Sequence, residues 1–296
     1  MRSQSSRYSG VETLGHQDKA DGHPHRDCER YLSRGLHRIS GYLHKGAASL
    51  IVQIADLQSR LNVTGHVAEI GVHEGRLFIL LCLLRNDKDA ALAVDVFERQ
   101  DLNRDRSGRG NFERLQANLR KYVHHGSRPI LISADSRDLS SVSLIEAAGG
   151  QFRLFSVDGG HEAETVFHDL VIAAGALCAG GVILLDDFFN EGWPGVADGT
   201  CRFFASQKFP DFVPFAVAQN KVLIGARAYA ENYRKALMSA LKDRAKIRES
   251  TLFGHNVTYF DFRYGRFSLS ALQAIYFWTE RHPDASRLFR RIRDSL

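Results

Sequence analysis

Two apolar segments of strand composition end abruptly in acidic residues. The first, FSVDGGH at residues 155–161, contains Asp158, and the second, GVILLDD at residues 181–187, ends in Asp186 and Asp187. Their spacing is about that of one strand-helix-strand unit. Because ligands bind beyond the carboxyl ends of parallel strands in open α/β sheets, we expect these carboxylates to share one rim. Oxygen donors without a cysteine or a histidine pair predict a site for Mg²⁺ or a similar hard divalent cation.

Other residues of chemical interest stand beside these acids. His161 follows Asp158 by three positions, at the start of the next predicted helix. A neutral imidazole there is suited to accept a proton near pH 7, so His161 is a candidate general base, the alternative being a structural, helix-capping histidine. Phe189 and Trp193 follow the second acidic segment in a loop, and we expect them to contact the substrate as an apolar wall. The alternative for these aromatic residues is a place in the core.

An earlier segment, EIGVHEG at residues 69–75, has the composition of a turn that receives a cofactor. Glu69 lies just inside a predicted strand, and Gly71 and Gly75 follow before a helix begins. Glycine permits positive φ and close approach of a ligand, and the free amides of the helix N-terminus favour an anionic group. The segment differs from the dinucleotide motif G-x-G-x-x-G, because His73 stands where that motif has its second glycine.

Acidic residues also end the next two predicted strands. Asp95 ends the second strand, where a carboxylate can accept hydrogen bonds from both hydroxyls of a ribose. Asp135 and Ser136 follow the third strand, and their side chains could bind the edge of an adenine. Each of them could instead be an ordinary turn residue. Acids that close four successive strands at one rim nevertheless predict a nucleotide-type cofactor site.

The elements that must position these residues alternate between strand and helix. Strand composition occurs at residues 67–70, 91–97, 129–133, 152–157, 181–185, 212–219 and 220–225. Helical spacing separates the first five at residues 76–84, 111–122, 144–148 and 162–177. This alternation is typical of an α/β fold with a doubly wound, mostly parallel sheet.

Three regions are predicted along the chain. Residues 1–28 are polar and predict a disordered tail, residues 29–228 predict one domain that begins with leading helices, and residues 229–296 predict a mostly helical C-terminal extension. Helical spacing continues to about residue 248, and residues 257–262 have the composition of a further strand.

Composition places the chain among globular proteins with a large core. It has 296 residues, of which 44% are hydrophobic and 25% charged, and a net charge of +5. The four cysteines are scattered, and no apolar run is long enough to span a membrane. We therefore expect a cytoplasmic protein that binds neither membrane nor nucleic acid. A cluster of arginines near the C-terminus is read as a solvated helical face.

At residues 60–225 the chain resembles class I S-adenosylmethionine-dependent methyltransferases, and among them the metal-dependent O-methyltransferases that act on macrolide sugars. The resemblance rests on EIGVHEG (69–75), VDVF (94–97), VDGGH (157–161), and LDDF (185–188) followed by GWPGV (192–196). It implies a Rossmann-like sheet of seven strands and S-adenosylmethionine as the cofactor. The implied cofactor contacts are Glu69, Gly71 and Gly75 at the methionine moiety, Asp95 at the ribose, and Asp135 with Ser136 at the adenine.

The same resemblance implies roles for the acidic segments. Asp158, Asp186 and Asp187 match the metal ligands. His161 stands at the place of the general base in some members, whereas others use the aspartate that corresponds to Asp158, so the catalytic assignment includes both.

The function predicted from the sequence is a magnesium-dependent O-methyltransferase. It would move a methyl group from S-adenosylmethionine to a hydroxyl of a small molecule, with a sugar or a glycosylated natural product as the first expectation. The alternatives are an oxidoreductase linked to NAD or a nucleotide sugar, and a catalytically inactive module that binds the cofactor. The sequence leaves open whether the protein forms a homo-oligomer.

Overall fold

The structure is a computed structural model that describes residues 11–12 and 24–262. Its described strands form one sheet in the order β1-β4-β3-β2-β5-β6-β8-β7-β10-β9. The strands are β1 (Val11–Glu12), β2 (His66–Ile70), β3 (Ala91–Asp95), β4 (Ile130–Ser133), β5 (Phe152–Val157), β6 (Leu177–Leu185), β7 (Phe212–Ala218), β8 (Lys221–Ala226), β9 (Lys246–Leu252) and β10 (His255–Asp261).

Helices cover the two faces of this sheet. The described α-helices are α1 (Pro24–Arg30), α2 (Lys45–Arg60), α3 (Arg76–Leu84), α4 (Phe112–Tyr122), α5 (Ser141–Ala148), α6 (Ala163–Ala176), α7 (Pro194–Ala205) and α8 (Arg227–Leu241). One apolar cluster includes residues of α2, α3 and α8, and a second includes residues of α5, α6 and α7. No described helix is both long and apolar enough to cross a membrane.

The predicted fold class is confirmed. The five strands from β4 to β6 run parallel, and β8 joins β6 antiparallel and pairs antiparallel with β7. The parallel strands are buried on both faces, which explains their continuous apolar composition. The seven predicted strands are all present, and β1, β9 and β10 extend the sheet at its two edges.

The C-terminal region differs from the predicted one. Helix α8 ends at Leu241, and residues predicted to continue it form β9, which pairs antiparallel with β10. Strand β9 is rich in charged residues and largely exposed. Its sequence carries little strand signal because it lies at the sheet edge, where charged residues are common and the pairing partner decides the conformation. The extension therefore contributes strands to the sheet as well as a helix.

The N-terminal boundary differs too. Helix α1 begins at Pro24, inside the segment predicted as a tail, and the side chain of Cys28 packs in the core. Most of the predicted tail, the chain after residue 262 and its arginine cluster lie outside the described residues. The division into three regions stays a prediction.

Backbone hydrogen bonds align the strand ends that carry the predicted site. The amide of Asp158 donates to the Ile70 carbonyl over 3.0 Å, and the amide of Asp186 donates to the Val157 carbonyl over 3.1 Å. The ends of β2, β5 and β6 are therefore in register. Any side chains that leave these ends on the same side must meet at one edge of the sheet.

Candidate active site

The turn after β2 can be built only with glycine. Gly71 has φ +83°, and a Cβ atom there would lie 1.7 Å from the Asp158 carbonyl oxygen. Gly75 has φ +91° and precedes α3, and a Cβ atom there would lie 2.5 Å from Leu115 Cδ1. Positive φ and close packing both disfavour any other residue at these positions. The turn therefore lies directly against the end of β5.

Asp95 is held by the backbone. Its two carboxylate oxygens accept hydrogen bonds of 2.7 Å each, one from the His73 amide and one from the Phe97 amide. Burial raises the pKa of Asp95, and these amide donors oppose the rise. Each oxygen keeps accepting capacity, so the fixed carboxylate can bind two adjacent hydroxyls. The geometry fits the ribose contact that the sequence predicts.

Glu69 has an unused hydrogen-bonding atom. Its side chain is buried, and Oε2 has no hydrogen-bond partner among the described residues. Burial raises the pKa of Glu69 to about 8. A buried polar atom without a partner is costly, so Oε2 is suited to accept a hydrogen bond from a bound ligand. The amino group of a methionine moiety is such a donor.

Asp135 is already engaged by a neighbouring side chain. The Arg137 guanidinium forms a forked ion pair with it, with Nε lying 2.9 Å from Oδ1 and 3.1 Å from Oδ2. This contact lowers the pKa of Asp135. Ser136 is buried, and its carbonyl lies 3.1 Å from His168 Nε2. The predicted adenine contacts are thus close together, with the Asp135 carboxylate shared with an arginine.

Three side chains converge beyond the ends of β5 and β6. Asp158, His161 and Asp187 each offer one ligand atom, and these atoms lie within 4.8 Å of one another. Burial and the nearby Asp186 carboxylate raise the pKa of Asp158 well above its usual value. The position after β5 and the position after β6 therefore supply one cluster, as the spacing of the two acidic segments predicts. We call the cluster formed by Asp158, Asp186 and Asp187 the acid rim, and the group Glu69, Asp95 and Asp135 the cofactor rim.

His161 lies between two carboxylates. Its Nδ1 atom is 2.7 Å from Asp105 Oδ2, and its Nε2 atom is 3.4 Å from Asp187 Oδ2. Its backbone amide also donates to Asp105 Oδ2 over 2.6 Å, and the ring stacks on Trp193 with centroids 4.3 Å apart. Burial lowers the pKa of His161, but Asp105 and Asp187 outweigh it and raise the pKa to about 9. Both carboxylates favour the protonated imidazole, and the general-base role of His161 stays a prediction.

Asp187 is oriented by amides. It has φ +59°, and its Oδ1 atom accepts hydrogen bonds from Asn190 Nδ2 over 3.1 Å and from Asn220 Nδ2 over 2.7 Å. Burial raises its pKa, but the His161 and Asn190 donors outweigh this effect and lower it. Asp187 thus stays ionised and presents Oδ2 to the cluster.

Asp186 faces a different partner from the other two aspartates. Its Oδ2 atom lies 2.7 Å from the ammonium nitrogen of Lys221, which is buried and lies 3.9 Å from Asp158 Oδ2. Burial lowers the pKa of Lys221, and the carboxylates of Asp186 and Asp158 more than reverse the effect and raise it. The structure therefore brings all three aspartates to one rim, with Asp186 in an ion pair.

Aromatic side chains border the acid rim. Phe189 is exposed, and its ring lies 4.7 Å from that of Phe188 and 6.0 Å from that of Tyr259 on β10. Trp193 directly precedes α7, where a Cβ atom on Gly195 would lie 2.2 Å from the His161 carbonyl oxygen. This close approach sets the Trp193 ring against His161. The wall includes a residue of the C-terminal hairpin, which the sequence did not predict.

The donor chemistry fits a divalent cation. Two carboxylates and one imidazole come together at the cluster, and all three side chains are partly exposed. Among the described contacts, the Asp158 side chain forms no hydrogen bond with the other two. Carboxylate oxygens suit Mg²⁺, and a nitrogen ligand extends the range to other divalent metals. Asp158 and Asp187 would hold the ion beside His161, and Asp186 is paired with Lys221.

Sequence reasoning missed two residues that contact the site, Asp105 and Lys221, and one buried acid, Asp169. Asp105 belongs to the loop between β3 and α4, where nothing local marks one of several charged residues. Lys221 begins β8 and follows Asn220, so its only signal is a lysine at the start of an apolar strand. Asp169 is fully buried in α6, where burial raises its pKa to about 7, and its signal is an acid within an apolar helical segment.

Comparison with known proteins identifies the domain that carries this site. Residues 68–188 match the family model described as a methyltransferase domain. The segment that carries the candidate site is therefore similar to a methyltransferase domain. The match spans the cofactor rim and the acid rim. A search of curated proteins finds no match to this chain.

Solved structures of O-methyltransferases are similar to part of this chain. The chain superposes on the O-methyltransferase NovP with a TM-score of 0.50 and 18% identity, covering 62% of this chain and 81% of NovP. For an O-methyltransferase from Bacillus cereus in complex with SAH, the TM-score is 0.47 and the identity 14%, covering 67% of this chain and 89% of that protein. For CalS11, a TDP-rhamnose 3'-O-methyltransferase of calicheamicin biosynthesis, the TM-score is 0.44 and the identity 18%, covering 70% of this chain and 98% of CalS11. At such low identities the superposition on NovP shows a common fold and no more.

Proposed function

We propose that this protein is a magnesium-dependent O-methyltransferase that acts on a hydroxyl of a small molecule, with a sugar or a glycosylated natural product as its acceptor. One observation carries the proposal: the turn that would receive the cofactor lies directly against the acid rim. A Cβ atom at Gly71 would lie 1.7 Å from the carbonyl oxygen of Asp158, whose side chain belongs to the Asp158, His161 and Asp187 cluster. A methyl donor and a hydroxyl acceptor can therefore be adjacent.

Methyl transfer from a sulfonium is an in-line displacement. The acceptor oxygen must come within about 3 Å of the methyl carbon and lose its proton. A divalent cation, when bound, lowers the pKa of a hydroxyl that it contacts. Asp158 and Asp187 would hold that ion, and the fixed carboxylate of Asp95 would hold the ribose at the other end of the site.

His161 and Asp158 are the candidate bases. Asp105 fixes the His161 ring by contacting Nδ1, so Nε2 faces Asp187 and the cluster. Carboxylates on both sides of His161 raise its pKa to about 9. Asp158 belongs to the same cluster and has a raised pKa, so it is the alternative base. Trp193 and Phe189 would exclude water from the acceptor and provide an apolar surface.

A binding experiment and a turnover experiment test the proposal together. S-adenosylhomocysteine should raise the melting temperature of the protein, and NAD should not. Methyl transfer to a panel of hydroxylated sugars and glycosides should require Mg²⁺ and stop in EDTA. Stabilisation by NAD instead would favour an oxidoreductase. Stabilisation by S-adenosylhomocysteine without turnover on any acceptor would favour an inactive binding module.

The remaining expectations stay predictions. These are the cytoplasmic location, the absence of nucleic-acid and membrane partners, and the homo-oligomer.

A further inference from the structure

Lys221 is a buried cation that lies inside the acid rim. It begins β8, whose next residue, Val222, pairs with Leu185 at the end of β6. This register places Lys221 beside Asp186, and the lysine side chain is only 3% exposed. A lysine is rarely buried to this extent unless a carboxylate pairs with it. The position of Lys221 is therefore set by the acids that it faces.

The ammonium group occupies the space that one cation would share between two aspartates. It lies 2.7 Å from Asp186 Oδ2 and 3.9 Å from Asp158 Oδ2. Asp187 is on the other side of the cluster, where it faces His161 and the amides of Asn190 and Asn220. Asp186 is accordingly absent from the group of ligand atoms that lie within 4.8 Å of one another.

We propose that Lys221 is an internal counter-cation that withdraws Asp186 from metal coordination and keeps the affinity of the acid rim for a divalent ion low. The ion is then held by Asp158 and Asp187, beside His161. Part of the inference rests on the proposed function, since it concerns the same metal. It differs in its content, because it assigns one aspartate of the predicted trio to a lysine instead of the ion.

Lys221 should lower the affinity for a divalent ion because its positive charge repels a cation bound to the same carboxylates. A divalent ion bound to Asp158 is repelled by an ammonium 3.9 Å from the same carboxylate, and the ammonium itself is buried. The same ammonium stabilises Asp186 when no ion is bound, so the folded protein does not depend on the metal. Replacing the lysine with an uncharged side chain of similar length removes the repulsion and frees a carboxylate.

A titration with Mn²⁺ alone, followed by electron paramagnetic resonance, tests the proposal without any turnover. The variant Lys221→Met should bind Mn²⁺ at least about tenfold more tightly than the native protein. The double variant Lys221→Met with Asp186→Asn has the native net charge and lacks the freed carboxylate, so its affinity should return to within about threefold of the native value. Lys242→Gln changes the net charge to the same extent at the end of α8 and should leave the affinity unchanged.

Thermal unfolding provides a second readout if Lys221→Met is unstable. This variant leaves Asp186 buried without its partner, so it should unfold at a lower temperature in EDTA and recover in Mn²⁺. Lys221→Arg should show neither effect. An affinity in Lys221→Met no higher than in the native protein, a double variant as tight as Lys221→Met, or an instability that Mn²⁺ does not relieve would each overturn the proposal.

The outcomes separate this inference from the proposed function. If Lys221→Met binds Mn²⁺ more tightly and turnover of the native protein does not depend on Mg²⁺, the inference stands and the magnesium-dependent function is rejected. If the Mn²⁺ affinity of Lys221→Met is unchanged and turnover of the native protein requires Mg²⁺, the proposed function stands and the inference is rejected.

Discussion

The cofactor rim and the acid rim stabilise their carboxylates by different means. In the cofactor rim, Asp95 accepts hydrogen bonds from two backbone amides, and Asp135 forms an ion pair with Arg137, two residues away. In the acid rim, the partners are side chains from distant parts of the chain: Lys221 for Asp186, and Asn220 for Asp187. Backbone amides and a nearby arginine therefore hold the first rim, whereas side chains, several of them from distant parts of the chain, hold the second.

This contrast has a consequence for function. Carboxylates that are separated and fixed by amides suit a ligand with several fixed polar groups, such as a nucleoside. Carboxylates that are crowded together raise the pKa of one another's groups, as at Asp158, and attract cations. The two rims should therefore respond separately to substitution, and the following variants test that separation.

Asp187→Ala should have the largest effect. It removes a metal-facing carboxylate, so turnover should fall on the order of a thousandfold, whereas the affinity for S-adenosylhomocysteine should stay within about threefold. Calorimetry and a turnover assay with Mg²⁺ measure the two quantities. Asp198→Ala removes an exposed acid from α7 and serves as the control. Native activity that persists in EDTA would remove the metal from the mechanism.

His161→Ala should lower kcat on the order of a hundredfold and change KM much less, because proton transfer occurs in the transition state. Steady-state kinetics in saturating cofactor measure both constants. Equal effects on kcat and KM would show that His161 only positions the acceptor and would favour Asp158 as the base.

Asp95→Ala should weaken binding of S-adenosylhomocysteine by about thirtyfold, since hydrogen bonds from two ribose hydroxyls are lost. Binding of Mn²⁺ should be unchanged, because Asp95 contacts no residue of the acid rim. A change in both affinities would show that the two rims are coupled and do not respond separately to substitution.

Asp105→Asn should lower kcat by about tenfold, less than His161→Ala, since the amide keeps the shape of the contact and loses its charge. The pH at which turnover is half-maximal should also fall, because Asp105 helps to raise the pKa of His161 to about 9. Asp101→Asn changes the same loop at an exposed acid and should alter neither quantity. An unchanged pH profile in Asp105→Asn would contradict the orienting role.

Asp169→Asn should have the smallest effect and should act on stability. The folded protein retains the Asp169 proton up to about pH 7. The unfolded chain loses this proton near pH 4. Between about pH 4 and pH 7 the group therefore lowers the free energy of unfolding progressively, and above pH 7 the loss stays constant. Asp169→Asn should therefore be more stable than the native protein at pH 8 by about 1 kcal/mol or more, and no more stable at pH 4. Urea unfolding at both pH values measures this, and equal differences would show that the buried carboxyl does not titrate as stated.

Much of the fold could be predicted because its signals are local. Apolar runs that end in acid placed β5 and β6 correctly, and helix α3 has the predicted bounds, Arg76–Leu84. The glycines of the cofactor turn were also recognisable, since both have positive φ and Gly71 lies against the Asp158 carbonyl. Strand β9 was not predictable in the same way, because a charged edge segment takes its conformation from β10.

The candidate site was predictable to the extent that strand ends determine it. The spacing of Asp158 and Asp187 was sufficient to bring them together, because neighbouring parallel strands end at one edge. Lys221, Asp105 and Tyr259 were not predictable, since each reaches the site from a separate segment of the chain. Their contacts depend on the register of β8, on the loop before α4 and on a hairpin that the helical pattern had concealed.

By itself, the sequence determined the order of the central elements, the glycine turn and the presence of acids at successive strand ends, because each depends on neighbours along the chain. Only the tertiary structure decided which charges those acids meet. A carboxylate's state depends on groups within a few ångströms, and at this rim some of those groups are distant in the sequence, as Lys221 is from Asp186, 35 residues earlier.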